Sequence, residues 1–169
     1  KINSNNGIYQ LTDFYIQFYH DFCSKHTTDE HFWENSINSP KQNTWYGLAY
    51  ERLCMAHIPQ IKEALGIQRI RTEYYSWRSK ESVPAAQVDL IIERADQIIS
   101  LCEIKYSKGI YSLDAKEEER LRNRIVDFAD ETKVKEAVQL VLITTYGLKD
   151  NAHSTEVNDR VVLEDLFKS

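Results

Sequence analysis

The sequence predicts an α/β chain of the mixed αβ class, and three observations carry that prediction. Residues 87–105 hold two β-branched apolar runs joined by a short polar turn, the signature of a hairpin. Residues 137–144 form a further apolar run that ends before Gly147. Between and before these runs lie stretches whose apolar residues recur at helical spacing. From Thr44 onward the order is helix, strand, strand, strand, helix, strand. Apolar residues on both faces of the hairpin strands predict a sheet covered on both sides.

Taken in order, residues 7–11 suggest a short strand. Thr12 or Asp13 then caps a helix to about Cys23, with Phe14, Ile16, Phe18 and Phe22 apolar. Residues 24–43 are polar, carry Thr-Thr-Asp and Asn-Ser-Pro turn signals, and are expected to be a linker. A second helix is expected from Asn43 or Thr44, with Leu48, Glu51, Met55 and Ile58 on one face and Trp45, Leu53 and Cys54 broadening it. Pro59 kinks that helix or opens a new one, and Gly66 closes it. Residues 67–75 are expected to be a strand and residues 76–85 a polar loop. After the hairpin and a loop over 106–113, Asp114 caps a helix over about 115–130 whose core side is Leu121, Ile125 and Phe128. A last short strand over 160–163 precedes an acidic turn ending in Leu166-Phe167.

A chain of 169 residues suffices for one full core, and 42% apolar with 28% charged residues is an ordinary globular composition. No apolar run approaches the eighteen or so residues that span a membrane, and the polar opening is not a signal peptide. The first residue is not Met, so a fragment or processed product is expected. Three cysteines, Cys23, Cys54 and Cys102, sit in apolar contexts, which predicts reduced thiols and a cytoplasmic chain. A net charge of −5 argues against a protein that coats nucleic acid electrostatically, but not against an enzyme whose acids gather at a metal.

The chemistry lies in the hairpin. Asp89 and Glu103 are equidistant from Asp96, so a turn centred there sets them directly opposite. Such residues have Cβ atoms about 4.5–5.5 Å apart, and like charges there repel. Ile91, Ile99 and Leu101 flank them on that face, and Leu90, Ile92, Cys102 and Ile104 fill the other. Two carboxylates on a covered strand share a proton or hold a cation. Lys105, two residues past Glu103, supplies one positive charge, and the remaining negative charge invites a metal ion. Glu51, within an apolar helical stripe, is expected to face the sheet and join them, since an unpaired buried charge is expensive. These oxygens, with the Ile104 carbonyl, suit one or two Mg²⁺ ions, with Mn²⁺ able to substitute. Lys105 would lower the pKa of the attacking water, and Gln87 would hold that water or a phosphate oxygen. The plainer alternative makes Glu103 and Lys105 ordinary strand charges, with Asp89 paired to Lys105.

Glu51 on a helix, Asp89 on one strand and Glu103-x-Lys105 on the next, followed by helix and strand, resemble the PD-(D/E)XK, or restriction-endonuclease-like, nuclease superfamily. The helix–three-strand–helix–strand order is that superfamily's core, a central mixed sheet flanked by helices. Glu51 matches its helix acid, Asp89 the motif Asp, Glu103 the second acid and Lys105 the Lys; Val88 stands where Pro is usual. Tyr9-Gln-Leu-Thr-Asp-Phe-Tyr-Ile-Gln-Phe-Tyr, Trp45-Tyr-Gly-Leu-Ala-Tyr-Glu, Leu65-Gly-Ile, Ala86-Gln-Val-Asp-Leu-Ile-Ile-Glu-Arg, Cys102-Glu-Ile-Lys-Tyr-Ser and Leu166-Phe167 resemble the C-terminal part of prokaryotic AAA-type P-loop ATPases that end in such a domain. The likeness implies that residues 1–43 are a helical extension left from a winged-helix region, and that residues 44–169 are the nuclease-like domain. It implies metal-dependent hydrolysis of DNA, with an ATPase and winged helix ahead of this region in the full-length chain. The alternative is a catalytically silent module that regulates the ATPase or binds a protein or DNA partner.

Lys116, Arg120 and Arg124 on the following helix are candidate phosphate contacts, and Tyr74, Tyr75 and Trp77 candidate base-stacking rings. His20-x-x-Cys23 and Cys54-x-x-His57 have zinc-like spacing, but cysteine on an amphipathic helix is more often core, so zinc is not expected.

Overall fold

A computed structural model describes residues 13–24, 28–81 and 85–168; the expected strand over 7–11 lies outside them. The chain forms two compact units, Lys1–Arg52 and Leu53–Ser169.

In the first unit Asp13 caps α1 (Phe14–Phe18), its Oδ1 accepting the Ile16 N–H at 2.8 Å, and the chain continues as one π-helical stretch over Tyr19–Cys23. The polar segment after it, expected to be a linker, is helical in part. It carries α2 (Phe32–Asn35), and α3 starts at Pro40 and runs to Ala56. Proline suits the first helical position because its missing N–H would be unsatisfied there anyway. Ser39 Oγ accepts the Gln42 N–H at 3.2 Å, as an N-cap does, so Asn-Ser-Pro is a helix start rather than a loop. The unit is held by edge-to-face rings: Trp33 lies 5.1 Å from Phe18 and 5.3 Å from Phe22, and Trp45 lies 5.6 Å from Phe18.

The second unit begins within α3. Pro59 lies in the first turn of α4 (Ile58–Ala64), which buries Ile58 and Ile61. Gly66 follows at φ +69°, a left-handed conformation that glycine adopts without strain. The buried Ile67 donates its N–H back to the Lys62 carbonyl at 2.8 Å and belongs to that helix end. The first strand, β1, therefore spans Thr72–Arg78 rather than starting at residue 67. It is followed by β2 (Gln87–Arg94), β3 (Ile98–Lys105), α5 (Ala115–Thr132), β4 (Ala137–Thr144) and β5 (Asp159–Val162), with a 3₁₀ turn over Leu163–Phe167.

These strands make one mixed five-stranded sheet in the order β1-β2-β3-β4-β5. The pairs β1–β2 and β2–β3 are antiparallel, whereas β3–β4 and β4–β5 are parallel. A parallel neighbour requires a crossover, and α5 supplies it. The helix starts at Asp114, whose Oδ1 accepts the Glu117 N–H at 2.8 Å. One sheet face packs Ile91, Ile99, Leu101, Leu140 and Leu142 against Leu121 and Phe128 of α5, with Trp77 edge-on to Phe128 at 5.3 Å. On the other face Leu90, Ile92, Cys102, Ile104, Val141, Ile143 and Val161 are buried. The fold is α/β with helices flanking the sheet. Among the described residues no helix is long and apolar enough to cross a membrane.

The β2–β3 register pairs Leu90 with Cys102, Ile91 with Leu101 and Ile92 with Ser100, as expected of a turn centred on Asp96. Arg94 clasps that turn, its Nε donating to Asp96 Oδ1 at 3.0 Å, and Gln97 takes φ +68° to close it. Beyond Leu90 the geometry changes. Two steps along β1, Tyr75 to Trp77, match three along β2, Ile91 to Val88, so β2 bulges at residues 89 and 90, which together oppose Ser76.

Candidate functional site

Strand alternation puts Glu103 on the same face as Ile99 and Leu101, and α5 closes over it. Leu121 and Phe128 anchor that helix in the core, and the helical period then turns Arg120 and Arg124 toward the same side. Glu103 is 1% exposed. Both of its oxygens are taken: Lys105 Nζ lies 2.8 Å from Oε1, with Arg120 Nη2 at 3.8 Å, and Arg124 Nη1 donates to Oε2. A buried carboxylate is tolerable only with such partners.

Asp89 faces this cluster across the hairpin, one step beyond the last paired residues. The bulge carries the β2 backbone off the ladder, and the Asp89 side chain stands in for it, Oδ2 receiving the Ile104 N–H at 3.5 Å. Burial raises the Asp89 pKa above its ordinary 3.8, and the negative charge of Glu103 raises it further. The Ile104 N–H, Lys105 and Arg124 pull in the opposite direction. In an extended strand the N–H and C=O of one residue point to the same flank, so the Ile104 carbonyl also turns toward β2.

The structure thus brings together Asp89, Glu103, Ile104 and Lys105 of the expected set, with Arg120 and Arg124 beside them. Lys105 pairs with Glu103 rather than with Asp89. Arg124 is not a free surface cation: its side chain is 13% exposed and serves Glu103. Arg120 is half-exposed and shared, with Glu117 Oε1 at 2.7 Å. Lys116 is exposed in the first turn of α5. Gln87 is exposed opposite Arg78, and Asp89 lies in the bulge, out of regular alternation with it. Val88 is turned into the α5-side core by that bulge, so the two-residue alternation that placed Gln87 beside Asp89 does not hold through it. Glu51 is half-buried on α3 and belongs to the first unit.

Tyr111, in a loop that no sequence pattern marks, stands at the site's margin. Burial raises its pKa most, then a hydrogen bond to Glu117, and Glu103 adds a smaller push. Its backbone bridges to Leu148, and Ser107 and Thr145 exchange hydrogen bonds beside it, the Ser107 N–H reaching Thr145 Oγ1 at 2.8 Å. Loops 106–114 and 145–158 therefore meet at the rim where β3 ends.

Asp89, Glu103 and the Ile104 carbonyl offer the hard oxygen donors that Mg²⁺ prefers, with both Glu103 oxygens held here by Lys105 and Arg124. Among the described residues no three His, Cys, Asp or Glu side chains form a group that could hold a metal ion. Cys54 is fully buried, and His57 Nδ1 lies 2.8 Å from the Leu53 carbonyl. Of the candidate stacking rings, Trp77 is committed to Phe128, Tyr75 donates its hydroxyl hydrogen to Glu93, and Tyr74 is exposed.

No family model matches the chain, and comparison with curated proteins finds no match. A solved structure described as a protein of unknown function, AF1548, is similar to it at 16% identity with a TM-score of 0.47. That match covers 68% of this chain and 64% of the other, so the chain spans just under two thirds of that protein's length.

Proposed function

We propose that the chain is a restriction-endonuclease-like phosphodiesterase that hydrolyses DNA with Mg²⁺ or Mn²⁺. One observation supports this reading above the others: Asp89 and Glu103 meet across neighbouring strands with Lys105 on the same face as Glu103. Asp89, Glu103 and the Ile104 carbonyl would hold the ion, which when bound supplies Lewis acidity toward phosphorus and a more acidic water. Lys105, with its side chain 26% exposed, reaches solvent and would orient the attacking water and favour loss of its proton. Arg120, half-exposed at the same rim, would receive a phosphate oxygen, and Lys116 would steer the backbone from farther out. The reading extends to a full-length chain in which an ATPase and a winged-helix region precede this one.

A second reading has its own support. Glu103 is already satisfied by Lys105 and Arg124, as suits a catalytically silent module that regulates the ATPase or binds a protein or DNA partner. Incubation of plasmid and branched DNA with Mn²⁺ separates the two. The expected result is cleavage that falls by about 10²-fold or more in both Asp89→Asn and Lys105→Ala. Absence of cleavage by the folded wild type favours the silent module, and equal cleavage by wild type and variants assigns it to a contaminant.

A further inference from the structure

We infer that Arg124 is a latch on the Asp89–Glu103 site, filling the Glu103 carboxylate until a phosphodiester draws the guanidinium away and lets a divalent ion take its place. The inference rests on the proposed reading of Asp89 and Glu103 as ion ligands, and adds how that site is controlled.

Counting charges by sequence leaves Asp89, Glu103 and Lys105 with one surplus negative charge. The fold adds Arg124 to that group, and the surplus disappears. A divalent ion approaching Glu103 now meets a guanidinium on Oε2 and an ammonium 2.8 Å from Oε1. Repulsion between a double and a single positive charge at such distances amounts to several kcal/mol even at an effective dielectric of about 20. The ion and Arg124 therefore exclude each other. Lys105 is the less apt cation to leave, because it sits two residues from Glu103 on the same strand. Arg124 reaches in from the crossover helix, on a long side chain whose release disturbs no strand.

The chemistry of the guanidinium names what releases it. A planar fork binds carboxylate and phosphate oxygens in the same paired geometry. A phosphodiester arriving at the rim beside Arg120 competes with Glu103 for Arg124, which donates to the carboxylate through Nη1. The Glu103 oxygen it vacates becomes available to the ion. Anion and cation then enter together, and each must tighten binding of the other by the same factor.

Electron paramagnetic resonance of free Mn²⁺, titrated with the purified protein, tests this without reference to cleavage. Wild type is expected to bind weakly and through Asp89, so that Asp89→Asn abolishes the binding. Arg124→Met is expected to tighten it by about tenfold or more, while Arg124→Lys, which keeps the charge, leaves it weak. Dimethyl phosphate added to wild type, a measurement independent of whether Arg124→Met folds, should tighten Mn²⁺ binding several-fold. Asp89-dependent binding that stays within about twofold of wild type in Arg124→Met overturns the latch and leaves the metal site standing. Wild-type binding unmoved by dimethyl phosphate does the same. No Asp89-dependent binding in any variant overturns both.

Discussion

Removing the charge of Glu103 tests the electrostatic centre of the fold most directly. Its side chain is 2% exposed, against 13% for Arg124, 26% for Lys105 and 50% for Arg120. Glu103→Gln keeps the shape and leaves these cations facing a neutral amide. Lys105 and Arg120 reach solvent and recover part of their hydration, but Arg124 has little water to turn to. Loss of one member of a buried pair costs about 3–5 kcal/mol, and the escape of two cations puts this case near 3 kcal/mol. Arg124→Met should cost less, about 1–2 kcal/mol, because Glu103 keeps Lys105 and the methionine fills similar space. The double variant removes both charges, so the two losses should not add; a coupling of about 2 kcal/mol is expected. With a urea slope of about 1–3 kcal/mol per molar, Glu103→Gln alone moves the unfolding midpoint down by roughly 1–3 M. Equilibrium urea unfolding of the four proteins at pH 7 measures all three quantities. Losses that sum to within about 0.5 kcal/mol would refute the claim that Glu103 and Arg124 depend on each other.

Asp89 gives a pH dependence of the opposite sense to an ordinary salt-bridged acid. Its folded pKa lies above the ordinary 3.8, so the folded protein binds more protons than the unfolded chain between those two values, and stability declines as pH rises through that window. Asp89→Asn should therefore raise the melting temperature at neutral pH and remove that decline, as calorimetry over pH 3–8 would show; an unchanged profile would oppose it. Phe128, fully buried and edge-on to Trp77, holds α5 at the depth that brings Arg124 to Glu103. Phe128→Ala should lower stability by about 3–5 kcal/mol, read from thermal unfolding by circular dichroism.

The hairpin was legible because its signals agree: β-branched runs, a polar turn, and apolar residues on alternate faces fix one register. The helix at 115 was legible for a similar reason, since the Asp114 cap and the spacing of Leu121, Ile125 and Phe128 point one way. The bulge in β2 left no mark in the sequence. It arises from how β1 meets β2 over Tyr75 to Trp77, a long-range match that no local pattern encodes, and it is what displaces Gln87 from Asp89. Arg124 was visible as a basic residue but not as the partner of Glu103. Its role depends on the depth and rotation of α5 over the sheet, which the core sets through Phe128. Residues 24–43 looked like a linker because Asn, Ser and Pro favour turns and helix starts alike. Edge strand β1, exposed along most of its length, has too little apolar alternation to mark where it begins.

The change from antiparallel to parallel pairing at β3 has a consequence for how such a site diversifies. Residues 106–114 and 145–158 leave the sheet at the same edge and are stitched together there, at Tyr111 with Leu148 and at Ser107 with Thr145. Asn151 fastens the two again through the Leu113 carbonyl at 2.9 Å. The frame that holds the charged groups and the wall that decides what can approach them are separate pieces of chain. Insertions in that wall can reshape access while positions 89, 103, 105 and 124 stay where the sheet and its crossover put them.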